Sequence, residues 1–122
     1  MAAIKTGMLA SRRIIETVAR ELESCTPERL VCDPVMVSKA GARLLDEDAV
    51  DALVTELLPL ATVVTPNVDH VVQAEENQAL RAAYEDASLS LVDGQPLVWL
   101  SKLMGEPFPE KISGSDFVPR VI

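Results

Sequence analysis

Aromatic residues make up only 3% of this 122-residue chain (one Trp, one Tyr, two Phe), so a core built from it has to be aliphatic. Histidine occurs once and cysteine twice, and His70, Cys25 and Cys32 have no metal-ligand spacing. Neither a metal nor a cofactor is expected. Basic residues are scarce: 11 Lys and Arg stand against 19 Asp and Glu, a formal net charge of -8. That field repels phosphate backbones and anionic lipid, which argues against nucleic acid or a membrane surface as partner. No apolar run is long enough to span a bilayer, and Met1-Ala2-Ala3 lacks the layout of a signal peptide. The expected location is the cytoplasm. In that reducing compartment Cys25, near a helix end, and Cys32, in an apolar run, are expected to be free thiols.

What is present suits a compact fold. Hydrophobic residues reach 48%, and a chain of this size buries roughly two-thirds of its unfolded surface. Short apolar runs at residues 3–5, 29–32, 61–64 and 88–92 read as strands. Each is stopped by turn chemistry: Thr6-Gly7, Asp33-Pro34, Thr65-Pro66-Asn67 and Asp93-Gly94. Amphipathic stretches alternate with them. Ser11 precedes a helix with Ile14, Ile15, Val18, Ala19 and Leu22 on one face, closed by Pro27. Residues 38–45 read as loop. Asp46 precedes a helix carrying Ala49, Val50, Leu53, Val54, Leu57 and Leu58, ended by Pro59. Asn67 caps a helix that breaks near Asn77 and continues through Leu80 and Ala83. A last helix begins near Pro96 and ends at Gly105. The pattern predicts a single α/β domain over residues 1–122: a three-layer Rossmann-like or flavodoxin-like unit with a mainly parallel sheet of about four strands.

In a parallel sheet the carboxyl ends of the strands share one edge, where open α/β sheets bind ligands beside helix N-termini. The same residue types also serve ordinary caps and turns. His70 reads as a packing or solvent-facing residue rather than a catalytic one. Ser113-Gly114-Ser115-Asp116 reads as a helix cap, Glu75-Glu76 and Asp46-Glu47-Asp48 as solvated acids, and Trp99 as a core or interface anchor.

Two resemblances sharpen the reading. Ile4-Lys5-Thr6-Gly7-Met8-Leu9, Val31-Cys32-Asp33-Pro34-Val35-Met36-Val37-Ser38-Lys39-Ala40-Gly41, Leu44-Leu45-Asp46 and the run from Leu57 to Asn67 resemble the hydroxymethylpyrimidine phosphate kinases, of the ribokinase-like family, over roughly residues 3–67. This resemblance implies that Met8 lies near the pyrimidine and Asp33 near the phosphates and magnesium. The family's glutamate three residues after the Thr-Pro-Asn asparagine is His70 here, and its later Gly-rich anion hole is absent. Thr65-Pro66-Asn67-Val68-Asp69-His70, Val92-Asp93-Gly94-Gln95-Pro96 and Pro109-Glu110-Lys111-Ile112-Ser113-Gly114-Ser115-Asp116 resemble the teichoic-acid and enterobacterial-antigen N-acetylmannosamine-type glycosyltransferases over roughly residues 63–122. That second resemblance implies a nucleotide-sugar pocket lined by Thr65 and Asn67, with Asp93 as catalytic base and Lys111 in place of an arginine.

Together they lead to the expectation of a chimera joined near residues 63–68, engineered or recombined, completing neither active site and without native catalysis. The alternative is a truncated relative keeping residual nucleotide-sugar or phosphate binding. Small-molecule binding is expected to be weak or absent. A homodimer is expected, because a mean hydropathy of +0.20 leaves apolar surface at residues 97–104 and 117–122.

Overall fold

A computed structural model describes residues 3–38, 40–112, 117 and 119 of the chain. Four strands, β1 (Ile4–Thr6), β2 (Leu30–Cys32), β3 (Val63–Val64) and β4 (Leu89–Ser90), form a wholly parallel sheet in the order β1-β2-β3-β4. Between them run α1 (Arg12–Cys25), α2 (Glu47–Ala52), α3 (Val68–Glu76) and α4 (Gln78–Asp86), and α5 (Gln95–Leu103) follows β4. The expected parallel four-strand α/β sheet is present. Each strand pairs with the next in sequence, so the order does not reverse. Right-handed crossovers then put α1, α2 and the α3–α4 pair on one side of the sheet.

The register identifies that side. Ile4 pairs with Leu30, Thr6 with Cys32, and Cys32 with Val64. Leu30, Cys32 and Val64 share one core with Ile15 and Leu22 of α1, Ala49 and Ala52 of α2, and Leu80 of α4. Val31 and Val63 alternate to the other face and are buried as well.

Local chemistry accounts for the element ends. Ser11 holds the N-cap backbone conformation of α1, but its hydroxyl makes no capping bond. Instead its carbonyl accepts the Ile15 N–H at 3.1 Å, and Arg12 Nε donates to the Asp48 carbonyl at 3.2 Å. The expected stripe is narrower than the periodicity suggests: Ile15, Ala19 and Leu22 are buried, while Ile14 is exposed. Thr26 closes α1 at φ 40°, a left-handed conformation that strains a β-branched residue. Asp46 also lacks a capping side-chain bond. Beyond α2 the chain continues as a π turn (Leu53–Leu57) and a 3-10 turn (Leu58–Leu60), burying Leu53, Val54, Leu57 and Leu58.

The break at Asn77 is where the sequence places it. Its N–H donates to the Gln73 carbonyl, ending α3, and its Oδ1 accepts the Leu80 N–H, starting α4. The end of α5 is a Schellman turn: Gly105 N–H reaches the Lys102 carbonyl and Glu106 N–H the Ser101 carbonyl. Gly105 takes φ +83°, which its missing side chain permits.

Two expectations change. Trp99 is 63% exposed and is not a core residue. Residues 38–45 are not plain loop: Val37 and Arg43 form an antiparallel bridge around a turn in which Gly41 takes φ +84°. The expected cap at residues 113–116 lies outside the described residues, as does most of the apolar segment 117–122.

Leu80 is the one residue of α4 classed as buried. Leu80→Ala is expected to cost about 2–5 kcal/mol in urea unfolding, because the cavity it leaves lies between α4 and the core. Thr26→Gly is expected to raise stability by about 1 kcal/mol in the same assay, through release of the left-handed strain.

Candidate functional site

The strand ends line up as a parallel register requires. Asp33 N–H donates to the Thr6 carbonyl at 3.2 Å, Thr65 N–H to the Cys32 carbonyl at 3.3 Å, and Asp93 N–H to the Pro66 carbonyl at 3.0 Å. On this edge Lys5 Nζ meets Asp33 Oδ2 at 3.2 Å, with side chains 26% and 15% exposed. Lys5 was not singled out in the sequence, although a cation in a short apolar strand, one residue before Thr6-Gly7, was the available signal. It balances a carboxylate that is mostly withdrawn from water. Met8 projects beyond β1 and is 55% exposed. Thr65 is fully buried, and its hydroxyl has no hydrogen-bond partner. Burial pushes the Cys32 thiol up to about 11, and Thr6 and Lys5 oppose that only in part. Cys32 is therefore a neutral core thiol and not a nucleophile.

The residue that ties this edge together is His70, which is 1% exposed. Asn67 Oδ1 accepts the Asp69 and His70 N–H groups, while His70 Nδ1 accepts the Asn67 N–H at 3.0 Å. This is a capping box with an imidazole where glutamate usually stands. Since Nδ1 accepts, the proton sits on Nε2, which donates to the Pro34 carbonyl. One ring thus joins the start of α3 to the loop after β2. The Tyr84 ring of α4 lies 6.2 Å away, tilted by 57°.

A cleft of about 640 Å³ opens beside Asn67 and gathers Ser38, Gly41, Asp69, Asp93 and Lys111. Three sequence-predicted residues, Asn67, Asp93 and Lys111, meet here. Met8, Asp33 and Thr65 do not line it. α3 and α5 both begin at this cleft, and the Val37–Arg43 hairpin supplies another wall, which the loop reading of residues 38–45 missed. The Ile112 N–H bonds the Val92 carbonyl at 2.9 Å, which brings the chain at Lys111 alongside. Asp69 and Asp93 set two negative groups against one ammonium. Among the described residues, no group of three or more His, Cys, Asp or Glu is placed to hold a metal ion. No helix among them is long and apolar enough to cross a membrane.

Burial holds the His70 pKa below its ordinary 6.5, against the raising effects of the Pro34 bond and of Asp69 and Asp33. Well above pH 6.5 the ring is neutral both folded and unfolded, so it adds no pH dependence there. Below pH 6.5 the unfolded chain takes up a proton that the folded chain resists, and stability falls as pH falls. Urea unfolding at pH 7.5 and 5.5 is expected to show this loss. His70→Gln should flatten that acid limb while lowering stability at pH 7.5 by about 1–2 kcal/mol. An unchanged acid limb in the variant would remove His70 as its cause.

Comparison with known proteins places this edge in a family. The family model described as phosphomethylpyrimidine kinase matches residues 1–91. The hydroxymethylpyrimidine/phosphomethylpyrimidine kinase of Streptomyces coelicolor is 54% identical over 71 residues, covering 58% of this chain and 26% of that protein. The Mycobacterium tuberculosis protein of the same name is 48% identical over 92 residues, covering 66% and 33%. The chain thus spans about a quarter to a third of the length of these relatives. The phosphomethylpyrimidine kinase structure from Clostridium difficile aligns with a TM-score of 0.63 at 31% identity, over 75% of this chain and 44% of that one. Pyridoxal kinase from Staphylococcus aureus in complex with pyridoxal aligns with a TM-score of 0.58 at 30% identity, over 78% and 38%.

These matches overturn the expectation of a chimera. The kinase model runs unbroken through the supposed junction at 63–68 and on through α3, α4 and β4, the first part of the stretch 63–122 assigned to a glycosyltransferase. The readings of an engineered hybrid without native catalysis and of a glycosyltransferase-like half fall with that junction. Physically, Thr65-Pro66-Asn67 is a poor discriminator. It ends a strand and caps a helix, a task common to α/β enzymes. Thr65 and Asn67 lie in this chain's turn from β3 to α3, inside the matched stretch, whereas Asp93 and Lys111 lie beyond it and are placed by the cleft alone. With residues 1–91, and every strand of the sheet, inside one family model, the chain belongs to the phosphomethylpyrimidine kinase family.

Proposed function

We propose that this chain carries the substrate-binding edge of a phosphoryl-transfer enzyme whose acceptor is a hydroxymethylpyrimidine or its phosphate and whose donor is a nucleoside triphosphate. The observation that carries the reading is the family match over residues 1–91, the stretch that contains Met8, Asp33, Thr65 and Asn67. Two structural neighbours are complexes, a Bacillus subtilis pyridoxal kinase with ADP and the S. aureus enzyme with pyridoxal. Both ligand types, a flat heteroaromatic ring and nucleotide phosphates, suit this edge. Exposed Met8 offers a polarisable thioether to a ring.

Magnesium fits only as a companion of the phosphates. It binds through one or two carboxylates plus phosphate oxygens, and the donor set here supplies Asp33, paired with Lys5. Bound there, the ion would neutralise charge on the transferring phosphoryl group. Lys5 orients the Asp33 carboxylate and can release it toward a phosphate-borne cation, keeping its own ammonium for the anion. Binding belongs to this strand edge, and phosphoryl transfer to the whole family architecture.

Titration calorimetry with hydroxymethylpyrimidine phosphate and, separately, with ADP and magnesium tests this. Saturable binding of both is expected. Met8→Ala should weaken the pyrimidine about tenfold and leave ADP unchanged, and Asp33→Asn should do the reverse. No saturable heat from either ligand up to about 1 mM would sink the reading.

A further inference from the structure

His70 makes one bond more than a helix cap needs. A capping box asks its third residue for a single acceptor, turned back to the N-cap backbone. Nδ1 supplies that acceptor to the Asn67 N–H at 3.0 Å, and a carboxylate would serve α3 equally well. The second ring nitrogen is left over, and it donates to the Pro34 carbonyl, 36 positions away in sequence.

That carbonyl belongs to the turn that carries Asp33. Val35 N–H donates to the Asp33 carbonyl at 2.9 Å, so Asp33-Pro34-Val35 is a γ-turn with proline at its centre. Proline fixes its own φ at about −65°, so the turn has few shapes and swings as a unit. Its start is tied by the Asp33 N–H to the Thr6 carbonyl and by the Asp33 carboxylate to Lys5, both at 3.2 Å. Beyond it, the Met36 carbonyl accepts the Leu44 N–H at 2.8 Å. His70 holds the middle. Pro34 is buried, so water is no ready substitute for the lost donor, and an unpaired buried carbonyl is costly. On the other side of the same ring, Nδ1 is bonded to Asn67, whose side chain lines the cleft of about 640 Å³. A rigid plate therefore stands between the neighbour of Asp33 and the backbone of Asn67.

We propose that His70 is a positioning residue: its Nε2–H, acting through the Pro34 carbonyl, fixes the Asp33 carboxylate relative to Asn67, and nucleotide–magnesium binding depends on that placement. The dependence on placement rests on the phosphoryl-transfer reading of this edge, whereas the clasp on Pro34 does not. Three replacements separate the ring's tasks. Glutamine keeps both, since its side-chain carbonyl accepts and its amide donates. Glutamate has the same length but only accepts near neutral pH, and leucine does neither and brings no charge. A loss shared by glutamate and leucine and absent from glutamine therefore reports the donor, not the acceptor and not an added charge.

Amide hydrogen exchange of the full chain, followed by NMR, reads the clasp without any ligand. The Val35 amide should exchange at least about tenfold faster in His70→Glu and His70→Leu than in the wild type, and within about threefold of it in His70→Gln. In His70→Glu the amides of Ile15 in α1 and Val71 in α3 should keep their protection, because their bonds to Ser11 and Asn67 do not involve Pro34. Titration calorimetry should then show ADP–magnesium affinity lowered about tenfold or more in His70→Glu and His70→Leu and restored in His70→Gln, with hydroxymethylpyrimidine phosphate unchanged in all three. Val35 protection that survives both His70→Glu and His70→Leu would overturn the proposal. So would protection lost at Val35, Val71 and Ile15 together in His70→Glu, the mark of a residue that only holds the fold, or a glutamine that fails to restore the wild-type pattern. A loosened Val35 with unchanged ADP–magnesium affinity would overturn the positioning role. A wild type that binds no ADP, with the exchange pattern as expected, would remove the phosphoryl-transfer reading and leave the Pro34 clasp standing.

Discussion

The imidazole of His70 occupies a position on which the geometry of the strand edge depends. It completes the capping box of α3 through Nδ1 and, through Nε2–H, holds the Pro34 carbonyl on the loop after β2. A buried carbonyl and a buried helix start are both costly if left without partners. One neutral side chain satisfies both across 36 residues of sequence. Its tautomer is not free: accepting at one nitrogen obliges it to donate at the other. The kinase resemblance leads one to expect a glutamate at this position. A carboxylate can serve the capping box but has no proton to give to Pro34 near neutral pH, so the imidazole changes how the loop is held.

From that clasp the rest of the edge follows. α3 starts at a fixed place, so Asn67 faces the cleft while the Thr65 side chain stays beneath it. The loop carrying Asp33 is held between Pro34 and the Lys5 ion pair, which restrict it from two sides. The sheet beneath is short, with strands of two or three residues, and its order without reversal puts the crossover helices together over Leu30, Cys32 and Val64. Most of the stability comes from this aliphatic layer, and the polar edge contributes chiefly position.

The strand-helix alternation was legible because each strand is apolar and each stop is chemically explicit. The break at Asn77 was legible for the same reason, since an asparagine can end one helix and cap the next. Membership of the phosphomethylpyrimidine kinase family was also readable over residues 3–67, from several long motifs in order. The error lay in weighing short motifs equally. Thr65-Pro66-Asn67 and Asp93-Gly94 carry turn and cap chemistry that many α/β proteins need, so their likeness to a second family was weak evidence for a junction. The small hairpin at Val37–Arg43 was missed because an isolated two-residue bridge has no periodicity to detect.

By itself the sequence determined the class of fold, the positions of the strands, the aliphatic nature of the core and the candidates at the strand ends. These follow from nearest-neighbour properties: apolar runs, cap residues and glycines with left-handed backbones. Tertiary structure alone decided which of those candidates meet. Asn67, Asp93 and Lys111 share a cleft, while Asp33 pairs with Lys5 and Thr65 is buried. It also decided that His70 is a buried connector and that one side of α5 is left bare. The reason is that local chemistry sets where a chain turns, whereas strand register and helix packing, which depend on residues 30 or more positions apart, set what each side chain faces.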